Sequence, residues 1–483
     1  MILKEILKNT SVQQFIGNEL TEITDITQDS RKIERGALFI AVKGANSDGH
    51  SFINKAIQEG ASAILCENLP DERPEHISFI KVENTIEIMS LIASNFYQNP
   101  SKELKLVGVT GTNGKTTIST LLFKLFKQAG YKVGLISTIA IYINDKQYET
   151  KNTTPDTLTL NYILRKMRNE GVEYCFMEVS SHGIALHRVD GLQFAGGIFT
   201  NLTHDHLDFH KTFAQYRDTK KKFFDTLPKE AFAITNHDDK NGDFMLQNTK
   251  AHKYTYALKS FADYKAQILE NSLSGLVLRI NQNEIWTNLI GEFNAYNLLA
   301  IYATAIALGM DKEEVEKGIT LLHSVSGRFQ YFVSPNKVTV IVDYAHTPDA
   351  LKNVLDTIQT IRTGNESLLT LIGCGGNRDK SKRPIMADIA TSLSDKVVFT
   401  SDNPRDEDPE IILKEMEEGV QSQFYNKYMI ISDRKQAIKT LCSFAKEGDI
   451  ILIAGKGHET YQEIKGQRHH FDDFEQARQC FAQ

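Results

Sequence analysis

The stretch that most constrains the fold is LVGVTGTNGKTT, residues 106–117. An apolar strand pattern ends there in a glycine-rich turn, and a helical pattern, TTISTLLFKLFKQAG, follows the turn directly. Strand, glycine turn and helix in this order are typical of a phosphate-binding loop, in which backbone N–H groups and the helix dipole face an anion. The sequence therefore predicts an α/β sheet with a nucleotide phosphate at its carboxyl edge.

The residues of this loop have separate predicted roles. The ammonium group of Lys115 supplies a point charge to the phosphates, and the hydroxyl of Thr116 is placed for a magnesium ion. The strict loop pattern has glycine at the position of Val109, so the match is not complete. The residues predicted to bind the nucleotide here are Gly111, Thr112, Asn113, Gly114, Lys115, Thr116 and Thr117.

Length, charge and cysteine usage limit the class of protein. A chain of 483 residues is too long for one ordinary core, and its net charge of −6 argues against a nucleic-acid-binding protein. The first residues, MILKEILKNTSVQQF, predict an amphipathic helix and not a signal peptide, and no apolar run has the length of a membrane span. The five cysteines are scattered and have no CxxC spacing. These features predict a soluble cytoplasmic protein with reduced thiols.

The order of strand and helix patterns divides the chain into three parts. Residues 25–97 have short strands and one or two helices, and the polar stretch around Pro100 is a plausible linker. From the glycine-rich loop to about residue 325, strands alternate with helices, as in a parallel α/β sheet. A second α/β run begins near residue 336, so three domains are predicted.

Several further motifs resemble the Mur ligase superfamily, the ATP-dependent amino-acid-adding enzymes of peptidoglycan synthesis. They cover nearly the whole chain in family order, and as a set they resemble the ligases that add the third residue of the stem peptide. The motifs are NTTPDT (152–157), MEVSSHGIALHR (177–188), TNLTHDHLDFH (200–210), GEFNAYNLLA (291–300), SGRFQ (326–330), DYAHTPDAL (343–351), GCGGNRDKSKRP (373–384) and AGKGHETYQ (454–462).

The resemblance implies a three-domain α/β fold. Its expected parts are a small N-terminal UDP-sugar-binding domain (1–98), a central P-loop parallel-sheet ATPase domain (99–327) and a C-terminal Rossmann-like amino-acid-binding domain (328–483). It also implies an ATP-dependent acid–amino-acid ligase that works through an acyl phosphate. The expected substrates are ATP, UDP-N-acetylmuramoyl-L-alanyl-D-glutamate and meso-diaminopimelate, and the expected protein is a monomer that binds neither nucleic acid nor membrane.

The resemblance further implies a magnesium site. Glu178, at the end of the predicted strand YCFMEVS, corresponds with Thr116 to the family's magnesium pair, and His206 corresponds to a histidine that helps to hold a second magnesium. The histidines and aspartates between 204 and 210 also suggest zinc, but alternating loop residues seldom all face one ion. Hydrogen bonding is the alternative role for His204 and His210, and Asp208 is expected to orient a ligand.

One lysine of the run YRDTKKKFF is expected to be chemically modified. Lys220 lies four residues after Tyr216, where the family has a lysine carbamylated by carbon dioxide, an N6-carboxylysine that acts as an anionic metal ligand. Lys221 and Lys222 are interpreted as surface charges. The expected catalytic residues are Lys115, Glu178, His206 and Lys220.

Other positions are assigned by substrate. For the threonines and asparagines, ordinary turn and helix-cap hydrogen bonds are the alternative interpretation. The residues expected at the UDP-sugar-peptide are Ser30, with Arg31 beside it, Thr153, Thr154, Ser180 and Arg188. Those expected to close over ATP are Asn294, Asn297, Arg328 and Asp343, with His346 lining the same cleft.

The stretch SDNPRDEDPE contains one arginine, Arg405, among five acidic side chains. Arg405 either forms a surface ion pair with a neighbouring acid or holds the distal carboxylate of diaminopimelate, which lysine lacks. The resemblance favours the second role, because lysine-adding relatives lack this arginine. The expected diaminopimelate residues are Arg378, Asp402, Asn403, Pro404, Arg405, Gly455 and Glu459, with Glu459 facing the distal ammonium.

Three alternatives stay open at this point. The first is a lysine-adding ligase of the same step. The second is a folylpolyglutamate synthetase, which shares the loop but lacks the uridine-site stretch DSRKIERGALFIAVKG present here. The third is a nucleotide-gated switch without catalysis, against which Glu178, His206 and Lys220 argue.

Overall fold

The computed structural model describes residues 1–44 and 47–482. Its strands form sheets of five, eleven and six strands and one two-stranded hairpin, with helices packed between and against them. This is the three-part α/β architecture that the sequence predicted. The boundaries after residues 98 and 327 stay predictions. No helix in the described ranges is both long and apolar enough to cross a membrane.

The first sheet has four parallel strands and one antiparallel edge strand. The long helix predicted at the start of the chain is wrong, because the observed helix ends after four residues and Asn9 takes a positive φ of 62°. The elements are β1 Gln14–Ile16, β2 Ile26–Thr27, β3 Leu38–Ile40, β4 Ala63–Cys66, β5 Ser78–Lys81, α1 Leu3–Ile6, α2 Ile53–Gln58, α3 Thr85–Phe96 and the 3-10 turns Gly49–Phe52 and Pro100–Lys102.

The second sheet is parallel around the strand that enters the phosphate-binding loop. Antiparallel strands extend it at both ends. Its strands are β6 Lys105–Thr110, β7 Val133–Ile136, β8 Ile141–Ile143, β9 Lys146–Tyr148, β10 Tyr174–Glu178, β11 Gly196–Phe199, β12 Phe232–Asn236, β13 His252–Ala257, β14 Tyr264–Ser272, β15 Gly275–Ile280 and β16 Asn283–Thr287. Its helices are α4 Lys115–Gln128, α5 Thr157–Asn169, α6 Ser181–Ala185, α7 Leu207–His210, α8 Phe213–Asp225, α9 Gly242–Met245, α10 Glu292–Ala307 and α11 Lys312–Thr320.

Burial of one face of α4 fixes the phosphate-binding loop on this sheet. The apolar residues Ile118, Leu121, Leu122 and Leu125 are all buried, in one cluster with β6 and α10. Each such side chain contributes about 1.5–3 kcal/mol relative to exposure. The helix N-terminus is therefore held rigidly beside the end of β6.

The third sheet is parallel except for its first strand. The strands ending at Asp343, Ile372, Phe399 and Ala454 place the four C-terminal motif loops at one carboxyl edge. The elements are β17 Gln330–Val333, β18 Thr339–Asp343, β19 Leu368–Ile372, β20 Lys396–Phe399, β21 Tyr428–Ile430, β22 Ile450–Ala454, β23 Tyr461–Ile464, β24 Gln467–His470, α12 Pro348–Ile361, α13 Lys382–Leu393, α14 Pro409–Glu417, a 3-10 turn Ser422–Phe424, α15 Arg434–Phe444 and α16 Asp473–Phe481.

A buried ion pair ties the last helix to this edge. Arg434 donates to both carboxylate oxygens of Asp473, at 2.8 and 2.7 Å, and both side chains are fully buried. The same guanidinium donates to the carbonyls of Ser401 and Ala454, at 3.4 and 3.2 Å. These carbonyls directly precede Asp402 and Gly455, so the pair supports two loops of the expected amino-acid site.

Asp473→Ala is expected to lower the free energy of unfolding by about 3–5 kcal/mol, because it leaves a buried guanidinium without its partner. Urea unfolding followed by circular dichroism measures this. The matched control is Glu475→Ala, which breaks an exposed pair with His470 and is expected to cost at most about 1 kcal/mol. A loss of the same small size in both variants would contradict the structural role of the pair.

Candidate active site

The turn between β6 and α4 is shaped by two glycines. Gly111 and Gly114 have φ of 149° and 91°, and α4 begins at the next residue. A Cβ on Gly111 would lie 1.8 Å from Thr200 Oγ1, and one on Gly114 would lie 2.7 Å from Asn297 Oδ1. Only glycine fits at either position, so the turn presents backbone N–H groups at the N-terminus of a long helix. The predicted Asn297 thus lies against the phosphate-binding loop.

Lys115 is folded over this turn. Its Nζ donates to the carbonyl oxygens of Gly111 and Thr112, at 2.9 and 2.7 Å. Burial lowers the pKa of Lys115, and the charge of Glu178 partly opposes that shift. The ammonium group is thereby placed directly at the loop that a phosphate would occupy.

Residues next to the third sheet reach the same loop: Arg328 lies two residues before β17, and Asp349 lies in α12. Arg328 Nη2 donates to Thr116 Oγ1 at 3.1 Å, and the guanidinium lies 4.5 Å from the centre of the Tyr344 ring. Asn113 Nδ2 donates to Asp349 Oδ2 at 3.3 Å. The predicted residues Thr116 and Arg328 are therefore in direct contact across the two sheets.

The other residues predicted at the nucleotide mainly stabilise the backbone. Asp343 accepts from the backbone N–H groups of Phe329 and Ala345, at 2.6 and 2.8 Å, and burial raises its pKa. Asn294 donates to the carbonyl of Ile290 and accepts from Asn297 at 3.0 Å. Asp343 therefore fixes the segment that carries Arg328.

Glu178 is buried at the end of β10, the strand beside β6. Its side chain is 1% exposed, and its two oxygens accept from the backbone N–H and the hydroxyl of Thr138, at 2.7 and 3.1 Å. The Thr153 hydroxyl oxygen lies 3.1 Å from the Thr138 hydroxyl oxygen, which can accept its proton while donating its own to Glu178. Sequence reasoning missed Thr138, although its place just after the strand β7 was a usable signal.

Lys220 points from α8 into the same region. Its side chain is 1% exposed, and its Nζ donates to the Gly111 carbonyl at 2.8 Å. Burial, together with the charge of Lys115, holds the pKa of Lys220 well below its usual value. The predicted position is therefore a buried amine at the phosphate-binding loop.

The interpretation of Lys221 as a surface charge is wrong. Lys221 is 6% exposed, and its Nζ lies 2.6 Å from Asp225 Oδ1, one helical turn further along α8. Lys222, by contrast, is exposed. One lysine of the run therefore faces the loop, one is held in a partly buried ion pair, and one is solvated.

His206 lies beside this group in a strained turn. It has a positive φ of 54°, and its Nε2 lies 3.4 Å from Asp205 Oδ2. Burial lowers its pKa, and its ring packs edge-on against His182 with centroids 4.9 Å apart. His182 was not singled out from the sequence. His204 and Asp208 are exposed.

The two residues predicted as the magnesium pair supply oxygen donors. Within residues 1–44 and 47–482, no three His, Cys, Asp or Glu side chains are grouped as a metal site. The Thr116 hydroxyl, in the first turn of α4, and the Glu178 carboxylate, at the end of the strand beside β6, are hard oxygen donors of the type that magnesium prefers. The chemistry of this pair fits magnesium and does not fit zinc.

The residues predicted for the sugar-peptide form a connected set beyond Glu178. The Thr154 hydroxyl donates to the Glu178 carbonyl at 2.9 Å and accepts from the Ser180 backbone N–H at 3.0 Å. Arg188 Nη1 donates to the Thr154 carbonyl at 2.8 Å, and burial lowers the pKa of Arg188.

Ser30 and Arg31 lie apart from this set. Ser30 is buried just after β2, and Arg31 is exposed and pairs with Asp29. No hydrogen bond among the described residues joins Ser30 or Arg31 to the sugar-peptide residues of the second sheet.

The residues predicted to bind diaminopimelate meet at the edge of the third sheet. Asn403 donates to Glu459 Oε2 at 2.7 Å, and the fully buried Lys456 donates to both Asn403 and Glu459, at 3.1 and 3.2 Å. Burial raises the pKa of Glu459. Gly455 has a φ of 116°, and a Cβ there would lie 2.7 Å from Asp402 Oδ2. Lys456 was missed in the sequence, where it stands between the two residues chosen.

Arg405 does not pair with its acidic neighbours in the chain. It has a positive φ of 53°, and its Nη1 donates to the Gly376 carbonyl at 2.8 Å. Its guanidinium forms an ion pair with Glu463, with 3.6 Å between Nε and Oε2. The side chain is 21% exposed. The alternative of a pair with an adjacent acid is therefore wrong. Arg378 lies exposed on the loop that carries Gly376.

A phosphate-binding loop reached by an arginine from another α/β sheet defines a multidomain nucleotide-dependent enzyme. Three family models match the chain, covering residues 22–102 (Mur ligase family, catalytic domain), 109–305 (Mur ligase middle domain) and 327–457 (Mur ligase, glutamate ligase domain). The chain belongs to the Mur ligase family, whose members are ATP-dependent ligases.

The relatives are similar over their whole length. The chain is 53% identical over 474 residues to the UDP-N-acetylmuramoyl-L-alanyl-D-glutamate–2,6-diaminopimelate ligase of Cytophaga hutchinsonii, covering 98% of this chain and 97% of the relative. It is 52% identical over 481 residues to the enzyme of that name from Bacteroides thetaiotaomicron, covering both chains completely.

Solved structures share the fold. A structure of a UDP-N-acetylmuramoyl-L-alanyl-D-glutamate–2,6-diaminopimelate ligase has a TM-score of 0.72 and 32% identity, covering 100% of this chain and 98% of that one. A folylpolyglutamate synthase from Thermotoga maritima has a TM-score of 0.60 at 16% identity, covering 76% and 89%. The second likeness shows a common fold alone.

Proposed function

We propose that this protein is the ligase that adds meso-2,6-diaminopimelate to the D-glutamate of UDP-N-acetylmuramoyl-L-alanyl-D-glutamate, with ATP converted to ADP and phosphate. The observation that carries this proposal is the position of Arg405. The Gly376 carbonyl orients its guanidinium, and Arg405 does not pair with the acids next to it in the chain. A guanidinium so placed suits a second carboxylate on the amino acid. The names of relatives at 53% and 52% identity support the same substrate.

The proposed chemistry has two bond-forming steps. An oxygen of the D-glutamate carboxylate attacks the γ-phosphorus of ATP, the bond to the β-phosphate oxygen breaks, and ADP leaves. The neutral amine of diaminopimelate then attacks the acyl carbon, phosphate leaves, and the nitrogen loses a proton. The first step brings two anions together and the second releases an anionic phosphate, so fixed positive charge at the phosphoryl group lowers both barriers.

The residues around the loop supply that charge. Lys115 and Arg328 are two cations at the phosphate-binding turn, and both are held by short contacts. Magnesium held by Thr116 and Glu178, with His206 beside them, would neutralise phosphate charge as the carboxylate approaches. Asn294, Asn297 and Asp343 are proposed to shape the nucleotide cleft, since each fixes backbone or side chains next to it.

Lys220 is proposed to act as an N6-carboxylysine. Its amine is buried beside the carbonyl of Gly111 and close to Lys115, where an added carboxylate would turn a repulsive pair of cations into an attractive one. The resulting anion would face the same loop as Glu178 and serve as a metal ligand.

The sugar-peptide is proposed to lie along the first and second sheets. Thr153, Thr154, Ser180 and Arg188 form the linked set next to Glu178, and Ser30 provides the uridine end. Only one terminal nitrogen of Arg188 is used by the Thr154 carbonyl, so the rest of its guanidinium is available to a carboxylate.

Arg405→Ala is expected to weaken the use of diaminopimelate by roughly 2–4 kcal/mol, because a charged, largely desolvated contact is lost. The small turnover of lysine should hardly change, since lysine has no distal carboxylate. Competition between the two amino acids, read by product mass, measures the ratio. Arg468→Ala removes an exposed arginine on the neighbouring hairpin and serves as the control. Equal losses for both amino acids in Arg405→Ala would refute this role.

A further inference from the structure

Two loops at the edge of the third sheet each carry an arginine that is expected to bind diaminopimelate. The first loop, residues 373–379, follows β19 and carries Arg378, and the second loop, residues 402–408, follows β20 and carries Arg405. Each loop is irregular backbone at the sheet edge, so its shape depends on the contacts between the two.

The backbones of the two loops are packed directly together. Gly376 donates its N–H to the Asn403 carbonyl at 2.9 Å and accepts from Arg405 Nη1 at 2.8 Å. A Cβ on Gly376 would lie 1.9 Å from the Pro404 carbonyl oxygen. The direction of the Arg405 guanidinium therefore depends on where the first loop places this carbonyl, together with the contact to Glu463.

A buried arginine in α13 stabilises this contact between the two loops. Arg383, in the first turn of α13, is 0% exposed, and its two terminal nitrogens donate to the two carboxylate oxygens of Glu407, both at 3.0 Å. It also donates to the Gly375 carbonyl at 3.3 Å and pairs with Glu415 of α14. Glu407 in turn accepts from the backbone N–H of Asn377. One guanidinium and one carboxylate thus reach both loops.

This network also accounts for the acidic residues around Arg405. Hydrogen bonds from Arg383 lower the pKa of Glu407 to about 2, so Glu407 is ionised at neutral pH. Asp406 accepts from the side chain of Asn377 at 2.7 Å, and Asp408 caps α14. In the structure each of these acids has a partner within the loops or the helix.

We propose that Arg383 and Glu407 are a positioning pair, which holds the two loops in register so that Arg405 meets the distal carboxylate of the amino acid. The inference rests on the proposed function and adds two residues that touch no substrate. Among the residues that the structure describes, Arg383 Nε has no acceptor, and the hydrogen bonds of this guanidinium run through its terminal nitrogens to the two loops and α14. Loss of the pair would displace the Gly376 carbonyl and with it the Arg405 side chain.

The test is steady-state kinetics of the full chain, in which each of the three substrates is varied while the other two are saturating. Glu407→Gln should raise the KM for meso-diaminopimelate on the order of 10- to 100-fold, the size expected when a contact is misplaced by about 1 Å. The KM values for ATP and for the nucleotide-peptide should stay within about twofold of the parent, because the other substrates are bound elsewhere. Glu410→Gln, an exposed acid three residues further on, should match the parent.

Glu407→Asp keeps the charge but shortens the side chain, and it carries the test if Glu407→Gln does not fold. It should raise the same KM and leave the other two unchanged. Unchanged KM for diaminopimelate in a folded variant, or equal changes for all three substrates, would overturn the positioning role. A parent protein that forms no ADP in the presence of diaminopimelate would instead refute the proposed function, before any variant is compared.

Discussion

Lys115→Ala is expected to lose catalysis by several orders of magnitude, equivalent to roughly 3–5 kcal/mol of transition-state stabilisation. The Nζ group lies within 2.9 Å of two carbonyls of the phosphate-binding turn, where its charge would face the γ-phosphate. The chain should still fold, because the buried face of α4 does not include Lys115. Release of ADP under saturating substrates measures the effect.

The matched control lies on the same helix. Lys127 is exposed near the end of α4 and pairs with Asp145, so Lys127→Ala should change turnover by less than about 1 kcal/mol. Thermal melting of both variants separates loss of catalysis from loss of fold. Turnover of Lys115→Ala near that of the parent would remove this loop from the active site.

Lys220→Ala is expected to lower turnover roughly 100- to 1,000-fold, because a charged group beside the reacting phosphate is lost. Added acetate should restore part of the activity by placing a carboxylate in the space that the side chain leaves. Partial rescue by acetate, and none by an equal concentration of chloride, distinguishes a missing anion from a general salt effect.

The lysine run provides the control for this experiment. Lys222 is exposed, so Lys222→Ala should behave as the parent, whereas Lys221→Ala removes a partly buried pair with Asp225 and is expected to affect stability. Equal and mild losses of turnover in all three variants, with no response to acetate, would indicate that the three lysines form only a charged helix face.

Local patterns predicted the parts of this fold that depend on local sequence. The strand, glycine turn and helix at 106–128 were predictable because one apolar face and two glycines determine them together. The first helix was predicted too long, since the apolar spacing continues past Asn9 but the backbone turns there. The periodicity of apolar residues shows which face of a helix is buried. It does not show at which residue the helix ends.

The residues that the sequence did not reveal are those whose partners are distant in the chain. Thr138 contacts Glu178 only because β7 lies beside β10, and Lys456 contacts Asn403 across two loops of the third sheet. Arg405 meets a charged residue 58 positions away, while five acidic side chains adjacent in sequence are excluded. The spacing of residues in the sequence cannot show that a side chain contacts a partner distant in the chain and not one adjacent to it.

The central claim is the identity of the added amino acid. The direct measurement is an incubation of the parent protein with ATP, UDP-N-acetylmuramoyl-L-alanyl-D-glutamate and equal concentrations of meso-diaminopimelate and L-lysine, with the products identified by mass. The arrangement of Arg405 against the Gly376 carbonyl predicts a product dominated by diaminopimelate. A product containing mainly lysine would contradict the account, and it would leave Arg405 as a residue of the loop structure alone.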